Sequence, residues 1–383
     1  MQSQVRIHRQ PHLPSLPFSP AEFVRKNAVL VIAMLAAALS AIFVPPDAAY
    51  LDYFDYKTLA CLFCTLAVIC ALKNLHFFTI LARKIVRCAG NTRSAVFALV
   101  CITFIGSMLI ANDMALLTFL PLGYLVLSST GREKYMALTF ILQNIAANLG
   151  GMLTPFGNPQ NLYLYTCFNI PNGEFMRIMA LPFAVSIALI FLICLFIPRE
   201  PLVVTTEEEK LPIGKTALYL ALFASTILIV FRVIPYPIGI LLTLAILLPM
   251  DRDALKKVDY PLLLTFVCFF IFAGNMSRIA PIRMLFSMLL EKSTLLTAVV
   301  SCQFISNVPS AILLSQFTEN YPALLIGVNI GGAGTLIASL ASLITFRIYT
   351  THYPEKTRSY IALFTVLNFG FLGVLTLVSL FLV

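Results

Sequence analysis

The sequence predicts an all-α polytopic membrane protein with about nine transmembrane helices plus two re-entrant hairpins in an inverted-topology repeat. Three observations predict it. Of 383 residues, 60% are apolar and 11% charged, with a mean hydropathy of +0.92; soluble domains run at about 45–50% apolar and 25% charged. The apolar stretches continue for about 17–25 residues, the length a helix needs to cross hydrocarbon about 30 Å thick, whereas a barrel would alternate over about ten. Four stretches carry polar breaks, and these pair between the two halves of the chain. A water-soluble domain is thereby excluded, and so is disorder, which requires low hydrophobicity.

Taken in order, residues 1–27 form a polar, Pro-rich cytoplasmic tail rather than a cleavable leader, and Ser19-Pro20-Ala21-Glu22 reads as a capped helix start. The first repeat, 28–198, holds spans at 28–44, 58–72 and 177–197, an inner hairpin at 94–128 and a broken helix at 135–165. A polar linker at 199–213, with Glu207, Glu208 and Glu209, divides the chain. The second repeat, 214–383, holds spans at 216–234, 236–250, 260–275 and 360–383, an outer hairpin at 294–318 and a broken helix at 322–346. The hairpins are assigned as such because each has a polar centre. Before each lies an amphipathic stretch, Phe77 to Arg87 and Pro281 to Lys292, suited to a helix lying in the interface.

The net charge of +9 comes from 26 Lys and Arg against 17 Asp and Glu. In this class such an excess marks cytoplasmic loops rather than a nucleic-acid partner. With the N-terminus inside and the hairpins returning to their own sides, twenty of the 26 bases fall in inside loops. The first outside loop, Pro45 to Tyr56, holds Asp47, Asp52 and Asp55. The expected location is a bacterial cytoplasmic (inner) membrane. Cys61 and Cys64 make a CxxC within a span, best read as buried thiols. The four His give no metal-site spacing.

Ile110-Ala111-Asn112-Asp113 aligns with Ile305-Ser306-Asn307-Val308 at an offset of 195 residues. Asn148-Leu149-Gly150-Gly151-Met152-Leu153-Thr154 aligns with Asn329-Ile330-Gly331-Gly332-Ala333-Gly334-Thr335 at an offset of 181. Inverted repeats with paired interrupted helices mark secondary transporters.

Backbone leaving a helix inside lipid needs new hydrogen-bond partners, so Gly, Pro and Asn clusters at that depth demand a reason. The breaks are Ala111-Asn112-Asp113, Thr154 to Asn161, Ser306 to Ser310 and a milder one at Thr335 to Ser342. Asn158 is expected to cap a half-helix starting at Pro159, and Asn307 or Ser306 to cap another. Meeting at mid-membrane, half-helix N-termini favour an anion, while freed carbonyls and Asn or Ser oxygens suit Na⁺. The predicted substrate- and ion-binding residues are Asn112, Asp113, Thr154, Gly157, Asn158, Ser306, Asn307, Thr335 and Ser339. Asp113 is the only charged side chain between Arg93 and Arg132. A carboxyl there suits proton carriage or cation binding and is assigned the coupling role; the structural alternative is a neutral carboxyl capping its own half-helix. Gln143, Asn144, Asn148 and Asn329 either line the site or bond between helices. Arg347 either attracts an oxyanion or snorkels at the interface, and Arg232 and Arg278 carry less weight.

At these motifs the chain resembles the ion transporter superfamily, in its arsenite permease and citrate transporter-like type of anion permease. The family's Ser-Asn-Thr hairpin tips look like Ala111-Asn112-Asp113 and Ser306-Asn307-Val308, and its Gly-Thr-Pro-Pro-Asn-type break looks like Gly157-Asn158-Pro159-Gln160-Asn161. The Asn-Asp tip is more similar to the arsenite-permease and antiporter branch than to the dicarboxylate branch. The resemblance covers about 57–383. It implies a scaffold domain, a transport domain bearing both hairpins, elevator-like alternating access and a homodimer.

The expected function is a secondary active transporter moving a small anion, carboxylate or oxyanion, coupled to H⁺ or Na⁺. The alternative is a Na⁺/H⁺ antiporter or arsenite-type efflux permease on the same scaffold. An enzyme is not expected, because no nucleophile, metal pair or soluble substrate domain is legible. No cofactor is expected beyond Na⁺ as a coupling ion, and the partners are the solute, the ion and the lipid bilayer.

Overall fold

A computed structural model describes residues 24, 27–202 and 211–382. The helix start expected at Ser19 and the acidic part of the linker lie outside the described residues. The first half contains α1 (Ala28–Phe43), α2 (Tyr56–Asn74), α3 (Phe77–Arg87), α4 (Thr92–Ile110), α5 (Asn112–Ser129), α6 (Met136–Gly150), α7 (Pro159–Cys167) and α8 (Asn172–Leu195). The second contains α9 (Ile213–Val230), α10 (Tyr236–Met250), α11 (Arg252–Lys256), α12 (Tyr260–Arg278), α13 (Ala280–Lys292), α14 (Thr294–Ile305), α15 (Asn307–Leu314), α16 (Tyr321–Ile330), α17 (Leu340–His352) and α18 (Thr357–Ser379). No strand occurs among the described residues.

Seven of these helical segments are long and apolar enough to cross a membrane, the architecture of a polytopic membrane protein. The expected count of about nine full spans differs for a physical reason. The second broken span divides into two short helices, and α1 and α10 have only 16 and 15 residues, whereas the leading part of the first broken span still qualifies. Conversely α4, one arm of the first hairpin, qualifies by length. The two amphipathic stretches are helices, as α3 and α13.

Burial sorts the helices. The segment around α6 is 83% buried, whereas α8 and the segment around α18 are 28% buried. α6 packs on α4, α5, α8, α17 and α18. The outer helices turn apolar side chains such as Phe191, Leu192 and Val366 away from the protein, where lipid replaces water as the solvent.

Both polar-centred stretches are helical hairpins turning on one residue. Ala111 and Ser306 adopt positive φ, 63° and 72°, with ψ of 150° and 161°, a conformation that strains a side-chain-bearing residue by about 1–3 kcal/mol. Gln143 Nε2 donates to Thr103 Oγ1 (3.0 Å) and to the Phe119 carbonyl (3.2 Å), which lie on opposite arms of the first hairpin. The hydroxyls of Ser301 and Ser310, either side of Ser306, are 2.9 Å apart.

The hairpin bases lie at opposite ends of the molecule. At one end Thr92 N donates to the Glu200 carbonyl (2.9 Å), Arg93 Nε to that of Ile197 (2.7 Å), and Lys257 Nζ to Asn74 Oδ1 (2.8 Å). At the other end Arg278 pairs with Asp47 (2.6 Å), and Tyr321 OH donates to Glu174 (2.7 Å). Helix α8, with 24 residues, separates the two ends by about 36 Å at 1.5 Å per residue.

Packing repeats between the halves. α4 packs on α6 and α14 on α16, while α5 packs on α17 and α15 on α7. Gly150 and Gly331, 181 apart, permit the first pair of contacts. A Cβ on Gly150 would strike the Phe104 carbonyl and Ser107 Oγ; one on Gly331 would meet Cys302 Sγ at 2.9 Å. Ser107 and Cys302 are themselves 195 apart.

Gly150→Leu or Gly331→Leu is expected to lower the melting temperature of detergent-solubilised protein, at a cost of about 1–3 kcal/mol for overpacking; an unchanged melting curve would contradict the close approach. Hydrogen bonds from Lys134 and Tyr135 hold the Glu200 carboxyl below the usual carboxylate range. Its contribution is therefore present at neutral pH and lost as pH falls through that lowered value. Wild type and Glu200→Gln should differ in melting temperature at pH 7 and converge well below pH 4, the ordinary carboxylate range being about 4.

Candidate functional site: a polar crossing and its cavity

Two chain breaks meet at the centre. The first leaves α6 after Gly150 and re-enters helix at Pro159; the second leaves α16 after Ile330 and re-enters at Leu340. The residues preceding re-entry, Asn158 and Ser339, are both extended (φ −134° and −147°) and lie 181 apart. The second break was expected to be the milder, from Thr335; it begins at Gly331 and is as long as the first, because its glycines give no reason to stay helical.

Side-chain amides cross-link the breaks in matching pairs. Asn148 Nδ2 donates to Ser339 Oγ (3.0 Å), and Asn158 Nδ2 donates to Asn329 Oδ1 (3.3 Å). Asn329 Nδ2 donates to Asn161 Oδ1 (2.6 Å), and Asn144 Nδ2 to Ser342 Oγ (3.2 Å). The first hairpin joins through Asn112 Nδ2, which donates to Asn148 Oδ1 (3.2 Å). All of these side chains are buried. Carbonyls freed by the breaks are satisfied in the same way. Asn161 Nδ2 donates to those of Gly151 (3.0 Å) and Thr154 (3.2 Å), and Gln303 Nε2 to those of Gly331 (2.9 Å) and Ala333 (3.2 Å). Buried polar networks of this kind specify one arrangement when complete and are costly when opened.

Each hairpin is tied to the break of its own half. Thr154 Oγ1 donates to the Met108 carbonyl and Thr335 Oγ1 to that of Gln303, both at 3.0 Å. Met108 and Gln303 again lie 195 apart. At the second tip, Asn307 N (3.0 Å) and Ser306 Oγ (3.3 Å) donate to the Ala338 carbonyl. The expected side-chain caps need correction. Asn158 and Ser306 occupy N-cap positions without capping, since the Asn158 amide is drawn into the crossing. Asn307 Oδ1 accepts from the next amide, Val308 N (2.9 Å), and from Ser306 Oγ (3.4 Å) rather than from the third residue of the helix, as Asn112 Oδ1 accepts from Asp113 N (3.0 Å). Ser339 does cap, accepting from Ser342 N (3.2 Å).

Beside the crossing lies a cavity of about 60 Å³ walled by residues of α2, α5, α7, α12 and α17. Of the predicted site residues it brings together Asp113 and Asn158. Asn112 and Ser339 reach it through Asn148, whereas Thr154, Gly157, Ser306, Asn307 and Thr335 lie in the ties and breaks rather than in its wall. Thr65 and Asp259 also line it, and the sequence reading missed both. Asp259 reads in sequence as an ordinary cap ahead of Tyr260-Pro261, and it does accept from Leu262 N (3.0 Å). Arg347 is exposed on α17; Arg232 lies 4.3 Å from the centre of the Tyr165 ring and Arg278 pairs with Asp47, all outside the cavity wall.

The cavity shares Met114, Leu117, Asp259, Leu340 and Ile344 with a cleft of about 1200 Å³ that opens at the end bearing the first hairpin's base. Lys73, His76, Arg83, Lys256 and Lys257 line that cleft. At the opposite end a cleft of about 360 Å³ holds Asp52, Asp55, Tyr163 and Gln316.

Residues 21–324 match the family model described as "Citrate transporter". The chain belongs to the citrate transporter family. This bears out the expected placement in the ion transporter superfamily. Among the relatives of this family member, an uncharacterized transporter of Methanocaldococcus jannaschii is 32% identical over 295 residues, 77% of this chain and 81% of its own. The inner membrane protein YbiR of Escherichia coli is 30% identical over 71% of this chain and 74% of its own. A silicon efflux transporter of Oryza sativa is 29% identical over 48% of this chain and 37% of its own. The chain is thus an integral membrane protein of a transporter family, and its relatives are not named as enzymes.

Asn148→Ala leaves the buried Asn112 amide without its partner, a loss of about 1–3 kcal/mol, and removes the cross-link to Ser339, which keeps its bonds to Ser342. The expected result is a lower melting temperature, shared by Asn329→Ala on the other break. A variant melting with wild type would show that the crossing is not load-carrying.

Proposed function

We propose that this member of the citrate transporter family is a secondary active transporter of a small anion, a carboxylate or oxyanion, coupled to H⁺ or Na⁺. One observation carries the reading: the cavity where the starts of α5, α7 and α17 meet opens into a cleft lined by five basic side chains. Helix starts present partial positive charge and unpaired amides, which favour an anion; the basic cleft concentrates one at the entrance. The family description names citrate and one relative is named for silicon efflux, and both favour a small solute.

In this reading 28–198 and 214–383 are inverted repeats, the hairpins are re-entrant, and the N-terminus and the basic cleft face the cytoplasm. That placement agrees with the acidic cleft at the other end and with the excess of bases in inside loops. The cavity holds a few waters or one small ion, at about 10–15 Å³ each, so the solute occupies the adjoining cleft in this conformation. Elevator-like movement of the hairpins and broken helices against α1, α2 and α12 then exposes the crossing to the other side. By family resemblance the working unit is a homodimer.

Asp113 supplies the coupling. Its Oδ1 is buried and accepts no hydrogen bond among the described residues, and a carboxylate held that way requires a proton or a cation. A second reading, Na⁺/H⁺ antiport or arsenite-type efflux, draws on the two carboxylates in the cavity wall.

A thermal-shift screen with carboxylates, arsenite, sulfate and phosphate identifies the solute, and uptake into proteoliposomes under an imposed pH or Na⁺ gradient measures coupling. Asp113→Asn is expected to reduce gradient-driven uptake to the leak rate while retaining the wild-type melting temperature. Full coupled uptake by that variant refutes the role. Na⁺-dependent collapse of a pH gradient with no solute present selects the antiport reading.

A further inference from the structure

We propose that Arg232, in the turn between α9 and α10, is a latch that holds α7 against the outer helices at the end opposite the basic cleft, so that its release is a step in moving the hairpins and broken helices. The inference rests on the alternating access proposed above and names a contact that regulates it.

The chain carries an arginine where the backbone favours glycine. Helix α9 ends in a turn in which Arg232 N donates to the Ile229 carbonyl (3.0 Å) and Val233 N to that of Leu228 (2.9 Å), with Arg232 at φ 66°. The left-handed residue after a helix in this turn is usually glycine, because a Cβ strains it. A long side chain kept there calls for a use. Arg232 Nη2 donates to the Tyr165 carbonyl (2.8 Å) and Nη1 to that of Asn169 (3.4 Å), and the guanidinium lies over the Tyr165 ring. Both carbonyls belong to the end of α7, where Asn169 repeats the left-handed turn at φ 52°. A cation at a helix C-terminus meets the negative end of its dipole.

These two bonds join groups that otherwise meet through apolar surface. α9 and α10 pack on α2, and α12 packs on α1 and α2, whereas α7 packs on α15 of the second hairpin. Across the boundary α2 lies against α7 and α12 against α15, with ring pairs Phe231 to Phe156 (5.8 Å) and Phe270 to Tyr163 (5.5 Å). With the interfacial helices and the linker set aside, the hydrogen bonds that cross it among the described residues are those of Arg232. Apolar contact is non-directional and lets two faces slide, whereas a bond to a fixed carbonyl does not.

The latch sits beside the acidic cleft, whose wall includes Thr166 and Cys167, while the large basic cleft at the other end is open. Alternating access requires its lock on the closed side. The hold is shallow: Arg232 is half-buried, so water can replace the carbonyls, and its buried Nε has no partner among the described residues.

The test uses native thiols of the purified full-length protein, labelled with a hydrophilic maleimide and read separately by peptide mass spectrometry. Cys61 is 1% exposed on α2, in one core cluster with Tyr165, and is uncovered when α7 moves away. Cys302, buried where α14 meets Gly331, reports unfolding instead, and the exposed Cys88 is the reference. Arg232→Gly deletes the guanidinium and relieves the turn. It should raise the Cys61 labelling rate at least threefold with Cys302 unchanged, and Arg232→Lys, which keeps the charge and a donor, should fall between it and wild type. Equal Cys61 rates in Arg232→Gly and wild type, a rise shared by Cys302, or faster labelling in Arg232→Lys than in Arg232→Gly overturns the latch. If Arg232→Gly does not fold, Arg232→Asn, also tolerated in the left-handed region and too short to reach α7, is read by the same criterion. Because labelling is read without solute, a failed latch leaves the proposed transport standing, whereas absence of coupled uptake removes that reading whatever Cys61 shows.

Discussion

The obligation to satisfy backbone polar groups away from water governs this structure. A chain that leaves a helix within an apolar bundle exposes amides and carbonyls, each costing several kcal/mol unless answered. Here it leaves helix at four central places, and in each half one amide side chain answers the carbonyls of the break. Asn161 serves Gly151 and Thr154; Gln303 serves Gly331 and Ala333. The breaks then answer one another through Asn148, Ser339, Asn158 and Asn329. Because each break supplies partners for the other, neither half holds its centre without its counterpart.

Upon that symmetric frame sits an asymmetric chemistry. Backbone turns, capping positions, glycine contacts and threonine ties recur at offsets of 195 and 181, but Asp113 has Val308 opposite it and Asn158 has Ser339. The cavity accordingly lies on the side of the first tip, and the helices that close it, α2 and α12, come from outside the paired motifs. The clefts at the two ends carry opposite charge, basic beside the cavity and acidic beyond it.

Much of the frame was legible residue by residue. The hairpin turns at Ala111 and Ser306, the helix restart at Pro159 and the paired Asn148 and Asn329 all follow from Gly, Pro and Asn at depths where an unbroken helix would otherwise run. Legibility failed where a side chain had two uses open to it. Asn158 precedes a proline and looks like a cap, but a neighbour 171 residues away takes its amide. The break after Ile330 looks mild because Gly331 to Thr335 lacks proline, although Gly150 and Gly331 have equivalent contacts.

The sequence by itself determined the class of protein, the number and pairing of the breaks, the singular position of Asp113 and the family, since these depend on local composition, spacing and motif. The tertiary structure alone decided which oxygens share a cavity. Asp113 and Asp259 are 146 residues apart and belong to different packing groups. No local rule distinguishes an aspartate that merely caps a helix from one that caps it at the mouth of a polar pocket. That distinction depends on how α12 lies against the hairpin, which is settled by packing between distant helices.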